Sequence, residues 1–358
     1  VSAVMAVVTA EPCVHTLHVP GTFHCERGGV LHDVVLTYST YGQMSPSGDN
    51  VVWILHPLTC NAQPMDWWPE FVGPGKAINA DEHFIVCVNS LGSCYGSTGP
   101  DSINPATDSP YHTDFPLITL KDVVALHEQV RAHLRIEAIH LGIGGSYGGQ
   151  QLMEWMCRAP DLFAYACVIG AGARQSPWAV ALNETQRMAM ESDSTFGSGN
   201  EGAGQRGLAA ARSLAVMSYR SQRVYNTTQA EANDEVCDGY RASSYQRHIG
   251  NKFTRRFSAC AYWTLTKAMD SHNVGRGRGS IRNALAAVRT RVLFVALQDD
   301  LLFPVDEVRG TADMTPGAQF AVIDSDYGHD SILTHARDIS LRIVRFIADS
   351  VSREEALA

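Results

Sequence analysis

The first fifty residues alternate apolar and polar side chains, most regularly over Val30-Leu31-His32-Asp33-Val34-Val35-Leu36-Thr37-Tyr38. A period of two is that of a strand buried on one face. Gly21, Gly28 and Gly29 divide the stretch into hairpin-like pieces, so an antiparallel lead-in to a sheet is expected. The pattern then changes to continuous apolar runs over Val51–Leu55, Phe84–Val88, Ala138–Ile143, Val292–Leu297 and Phe320–Ile323. Runs without alternation predict parallel strands covered by helices on both faces. Apolar residues recur at helical spacing over Leu120–Leu134, Gln150–Met156 and Ile339–Val351, which predicts helices there. From about Arg174 to Val288 the alternation of strand and helix is lost; helical segments surround a polar, glycine-rich stretch, Ser192–Gly207. The expected fold class is α/β, a mostly parallel sheet with helices on both faces. Residues 1–173 and 289–358 form the core domain of that reading, and 174–288 an inserted helical lid.

Composition narrows the class without changing it. The chain has 358 residues, 45% of them hydrophobic and 18% charged, enough for one large core. A net charge of −9 leaves no electrostatic footprint for nucleic acid or an anionic membrane surface. The densest basic stretch, Arg276–Arg282, is short and glycine-rich and reads as a loop. Nine cysteines include no C-x-x-C pair, and several lie in apolar runs, so buried free thiols in a reducing, cytoplasmic setting are expected. No Cys/His pair stands at ligand spacing, and no metal is expected. Val1–Ala10 is mildly apolar without a basic flank, which does not read as a secretory signal. The longest apolar runs have strand length, too short to span a bilayer.

The strongest local signal is Gly142-Ile143-Gly144-Gly145-Ser146-Tyr147-Gly148-Gly149, directly after an apolar run and before a helical one. It contains G-x-S-x-G at Gly144, Ser146 and Gly148. Such an elbow places the serine on a sharp strand-to-helix turn, where small neighbours let the backbone pass close to itself. A dinucleotide loop starting at Gly142 would need glycine at 147, which is tyrosine. An elbow serine needs a base and an orienting carboxylate, in the order Ser, acid, His, each in a loop after a strand. Asp299 and Asp300 follow the run Val292–Leu297, and His329 follows Phe320–Ile323. An oxyanion hole needs two backbone N–H donors. Tyr147, after the nucleophile, is one candidate, and Leu58, in His56-Pro57-Leu58-Thr59, is the other. His56 itself reads as a loop histidine that packs the turn.

Taken in order, these pieces resemble the homoserine O-acetyltransferase family of the α/β-hydrolase fold, over nearly the whole chain. The resemblance rests on H-P-L-T at His56–Thr59, Asp66-Trp67-Trp68, the block Leu91–Pro100, Asp114-Phe115-Pro116 and Gly144–Gln150. It continues through Asn183–Met188, Tyr219-Arg220-Ser221, Ala268–His272, Asp300–Pro304 and Tyr327–Asp330. It implies an α/β-hydrolase core and a ping-pong transfer of acetyl from acetyl-CoA, through Ser146, to the hydroxyl of homoserine. It favours Asp300 over Asp299 as the acid. It also implies a homodimer, no bound cofactor or metal beyond acetyl-CoA as co-substrate, and Arg220 and Asp330 as partners of the amino acid's carboxylate and ammonium. Thr59 is a further candidate lining residue. L-serine or a deacetylated antibiotic intermediate as acceptor, succinyl-CoA as donor, a simple esterase and a non-catalytic binding module remain as alternatives. The chain departs from the family pattern at Pro57, at the glycine-rich stretch near Gly197 and at Tyr147, whose side chain is expected to alter contacts near the acyl group and hence acyl choice.

Overall fold

The computed structural model describes residues 12–74 and 76–355, so the reading of Val1–Ala10 falls outside the described residues. Strand β1 (Cys13–His24) pairs antiparallel with β2 (Val30–Tyr41), joined by a turn in which Cys25 N–H donates to Gly29 O. The expected antiparallel lead-in is there, but Gly21 does not break it. The register slips between Val19 and Thr22, and Gly21 N–H donates to Asp33 Oδ1 at 2.9 Å, so the glycine sits in a bulge of one long strand.

Strands β3 (Val51–Leu55), β4 (Phe84–Val88), β5 (Ile139–Gly145), β6 (Phe163–Ile169), β7 (Arg291–Leu297) and β8 (Gln319–Ile323) complete the eight-stranded sheet. Its order is β1-β2-β4-β3-β5-β6-β7-β8, antiparallel up to β4 and parallel from there on. Strand β6 escapes the sequence reading. Only Ala159–Leu162 separates it from the preceding helix, so its apolar run merges with the helical pattern before it.

The continuous apolar runs have the reason expected of them. Along β3, Val51, Trp53 and Leu55 enter one core cluster, and Val52 and Ile54 enter the other, on the opposite face. Burying a side chain of this size contributes about 1.5–3 kcal/mol.

Helix α1 (Leu120–His133) opens on a capping box in which Asp122 Oδ2 accepts from Thr119 N–H at 2.7 Å. Helix α2 (Tyr147–Arg158) starts at the residue after Ser146. All further described elements up to Arg291 are helical except an isolated bridge between Arg174 and Asn273. They are α3 (Pro177–Glu191), α4 (Gln205–Tyr219), α5 (Gln222–Thr228), α6 (Arg241–Thr254), α7 (Ala259–Asp270) and α8 (Ile281–Ala286). Four of them start where a serine can cap: Ser176, Ser221, Ser258 and Ser280 each accept from the N–H three residues on. Leu208 and Ala211 of α4 and Tyr262 and Leu265 of α7 join the same core cluster as the strands. Buried Arg187 of α3 is held to Asp270 of α7 at 2.6 Å. Helices α9 (Val305–Asp313) and α10 (Ala336–Glu355) close the chain.

The basic stretch is a loop up to Ser280 and runs into α8 at Arg282; two of its cations are paired, Arg276 with Glu26 at 3.0 Å and Arg278 with Glu154 at 2.6 Å. All nine cysteines are free thiols. Cys87 and Cys167, in apolar runs, are buried as expected, and so is Cys25, but Cys157, also in such a run, is only partly buried, and Cys13 and Cys237 are exposed. Among the described residues no helix is long and apolar enough to cross a membrane.

Candidate active site

Ser146 stands between β5 and α2 at φ 55° and ψ −123°, a conformation that side chains rarely adopt. The turn is this sharp because its neighbours have no side chains. A Cβ on Gly148 would lie 2.0 Å from Leu55 O, and one on Gly144 would lie 2.3 Å from Gly148 O. The G-x-S-x-G spacing is therefore a packing requirement of the elbow.

His329, in a short 3₁₀ turn after β8, and Asp300, after β7, converge on that serine. His329 Nε2 lies 2.8 Å from Ser146 Oγ, and Nδ1 lies 2.7 Å from Asp300 Oδ2. A carboxylate oxygen only accepts, so Nδ1 carries the proton and Nε2 accepts from the serine hydroxyl. The other oxygen, Asp300 Oδ1, accepts from the N–H groups of Leu302 and Phe303 at 2.8 and 3.0 Å. All three residues are buried. Asp299, the other acid in this loop, turns outward at φ 59° and faces Arg223 at 3.6 Å.

Burial alone would lower the pKa of His329. The charge and hydrogen bond of Asp300, with the charge of Asp330, outweigh it, and the net shift is upward from 6.5. A base must be neutral to take the serine proton, so a raised pKa keeps it protonated, and idle, to higher pH. The acid limb of acylation is expected above pH 6.5. Asp330→Asn removes one raising charge and should move that limb toward lower pH. A rate–pH profile of CoA release without acceptor checks this, and a limb that stays put or moves upward contradicts it.

Ser146, His329 and Asp330 line a small cavity together with Pro57, Leu58, Thr59, Cys60, Arg212, Tyr219, Ile332 and Leu333. Leu58 and Thr59 are thus beside the serine. Arg220 meets the cavity through Asp330. It is the extended C-cap residue of α4, outside the cavity lining, with Nε on Asp330 Oδ2 at 2.7 Å and Nη1 on the Tyr245 hydroxyl. Arg212, within α4, is in the lining, and its guanidinium lies over the rings of Tyr219 and Phe253. Its Nη1 is buried without a hydrogen-bond partner among the described residues. Sequence reasoning missed Arg212. Its only signal was a cation inside an otherwise apolar and small-residue stretch, Leu208–Val216, of the insert.

The two candidate oxyanion donors border the serine. Tyr147 is the first residue of α2, so its N–H has no acceptor within the helix. No described residue accepts from Leu58 N–H. Arg256 steadies this loop by donating from Nη1 to Thr59 O at 2.7 Å. The Tyr147 side chain does not face the acyl position. It is wholly buried in the main core and absent from the cavity wall, so a residue that looked relevant to acyl choice is a packing residue there.

Residues 60–336 match the family model described as alpha/beta hydrolase fold. The homoserine O-acetyltransferase of Cyclobacterium marinum is 40% identical over 325 residues, covering 91% of this chain and 92% of that protein. Among solved structures, homoserine O-acetyltransferase from Bacillus anthracis superposes with a TM-score of 0.86 at 22% identity, over 94% of this chain and 97% of that one. Esterase E22 does so at 0.85 and 21%, over 94% and 100%. At such identities the two superpositions speak for the fold alone, which an acyltransferase and an esterase share.

Proposed function

The chain belongs to the homoserine O-acetyltransferase family of the α/β-hydrolase fold, and from that premise we propose that it moves acetyl from acetyl-CoA to the hydroxyl of L-homoserine through an ester on Ser146. One observation carries the acceptor. A guanidinium, Arg212, and a carboxylate, Asp330, share the nucleophile's cavity. An esterase has no use for that pair, whereas an amino acid presents a carboxylate to the first and an ammonium to the second.

In the first half-reaction His329 takes the proton of Ser146 as its oxygen attacks the thioester carbonyl. The oxyanion is held by the N–H groups of Leu58 and Tyr147, and the CoA thiol leaves with the proton. In the second, His329 deprotonates the homoserine hydroxyl, which attacks the acetyl ester and releases Ser146. Asp300 holds the imidazole tautomer and stabilises its cation. Water competes for the acetyl-enzyme, and transfer wins when the acceptor is held in place and water is kept out. The helical insert, 174–288, serves as the lid that does this, since Arg212 and Tyr219 reach the cavity from it. Arg220 is one layer back, orienting Asp330. Exposed Met188 on α3 and Met217 on α4 supply apolar surface for a homodimer, which is part of the same reading.

The acceptor clamp has a separable test. Arg212→Ala is expected to leave CoA release without acceptor near the wild-type rate, because the acetyl donor's reacting end carries no carboxylate. Transfer to homoserine should fall about tenfold to a few hundredfold, the worth of a hydrogen bond to a charged partner. Acetyl-enzyme should accumulate and drain slowly to water. Stopped-flow measurement of both half-reactions decides. Poor acylation with normal turnover of homoserine once acylated would assign Arg212 to the donor side. A panel of acetyl-CoA and succinyl-CoA against homoserine and serine tests the substrate pair directly.

A further inference from the structure

Ser90, in the loop after β4, lies between the two proposed oxyanion donors and touches both residues' surroundings. Its N–H donates to His56 Nε2 at 3.1 Å, and its hydroxyl lies 3.1 Å from the Tyr147 hydroxyl. The Ser90 hydroxyl itself donates to Leu91 O at 3.3 Å, so the phenol is the donor in the bond between them. On the other side of His56, Nδ1 lies 2.8 Å from Pro57 O. A carbonyl only accepts and a backbone N–H only donates, so both ring nitrogens are assigned: Nδ1 carries the proton and Nε2 is bare. Burial pushes the His56 pKa down to about 4, so the ring stays neutral in this tautomer at neutral pH. His56, Ser90 and Tyr147 are all buried.

Pro57 O also accepts from Cys60 N–H at 3.0 Å, so two donors hold this carbonyl on one side of its peptide. No described peptide is cis. A trans planar peptide points its N–H opposite to its C=O. Holding Pro57 O toward His56 therefore turns Leu58 N–H the other way, and Leu58 borders the cavity that contains Ser146.

We infer that His56, Ser90 and the Tyr147 phenol form a buried positioning relay that sets the aim and spacing of the two oxyanion donors, Leu58 N–H at one end and the backbone of Tyr147 at the other. The inference rests on the oxyanion reading proposed above. None of the three side chains touches substrate. They act through the peptides they hold, and they serve every step in which negative charge develops on the acyl oxygen. Both half-reactions pass through such an oxyanion, so the relay bears equally on both, unlike the acceptor clamp.

Four variants test this, each measured for CoA release without acceptor, for transfer from acetyl-enzyme to homoserine, and for thermal unfolding. His56→Leu keeps the volume and loses both hydrogen bonds. It should lower kcat in both half-reactions by about a hundredfold, the loss seen when one oxyanion donor is removed, with KM little changed. His56→Asn places an amide nitrogen near Nδ1 and should recover most of that loss. Tyr147→Phe and Ser90→Ala each remove one hydroxyl and should slow both half-reactions roughly threefold to tenfold, the worth of one hydrogen bond. In all four the acid limb should stay where His329 sets it. If His56→Leu does not fold, the other three decide. Folded Tyr147→Phe and Ser90→Ala with wild-type rates overturn the relay. So does a loss confined to one half-reaction, or a His56→Asn variant that folds and is no faster than a folded His56→Leu. Ser146→Ala run in parallel separates the failures: turnover within a few fold of wild type there sinks the serine reading, while a loss on the order of 10⁶ in Ser146→Ala beside normal relay variants sinks the relay alone.

Discussion

Ser146→Ala is expected to abolish acetyl transfer while the protein remains folded. Among the described residues the only side-chain hydrogen bond of Ser146 is the one to His329, so removing Oγ leaves no second group without a partner in the core. The strained φ of 55° is no worse for alanine than for serine, and the close contacts of the turn belong to Gly144 and Gly148. Nucleophile, base and acid act as a unit, so loss of one removes nearly all that the three contribute, on the order of 10⁶ in kcat. The measurement is loss of thioester absorbance from acetyl-CoA. A thiol-trapping dye would be confounded by exposed Cys13 and Cys237. Mass spectrometry of acetyl-CoA-treated protein should find the acetyl adduct on Ser146 in the wild type and on no residue in the variant. Turnover within a few fold of wild type, or an adduct on another residue, would end the serine mechanism.

Asp300→Asn should cost about 10⁴-fold in kcat, the scale known for an orienting aspartate, while Asp299→Asn should stay close to wild type. The difference follows from the hydrogen bonds. Asp300 Oδ1 accepts from two backbone N–H groups, so an amide there must keep its oxygen on that side. Its NH₂ then faces His329 Nδ1, which already carries a proton. Relief comes only if the imidazole moves its proton to Nε2, and that nitrogen can no longer accept from Ser146. Asp299 holds no such position. It is on the outer side of the turn at φ 59°, a region that asparagine tolerates well, and it faces exposed Arg223. Steady-state kcat for both variants, with unfolding midpoints to confirm folding, is the comparison. Equal losses would mean that the loop as a whole, rather than Asp300, orients the base.

Much of the scaffold was legible along the chain because its causes are local. The apolar runs at Val51–Leu55, Phe84–Val88 and Val292–Leu297 became buried strands since every side chain in them has to leave water on one face or the other. The elbow was legible because its requirement, two glycines flanking Ser146 within one turn, is met inside five residues. Other features were decided between elements far apart in sequence. Residue spacing could not separate Asp299 from Asp300. That choice came from the backbone of one turn, which directs the first outward and lets Leu302 and Phe303 fix the second. Tyr147 follows the nucleophile, yet its ring points away into the core to meet Ser90, fifty-seven residues earlier. Arg212 and Arg220 lie near each other on α4 and its cap, and the sequence alone singled out Arg220. Where each guanidinium lies depends on how α4 docks through Leu208 and Ala211 onto the shared core, and on Asp330 arriving from a distant loop to hold Arg220. A strand or a sharp turn is determined by neighbours along the chain, whereas the direction of a long charged side chain is determined by packing among segments that meet only once the chain has folded.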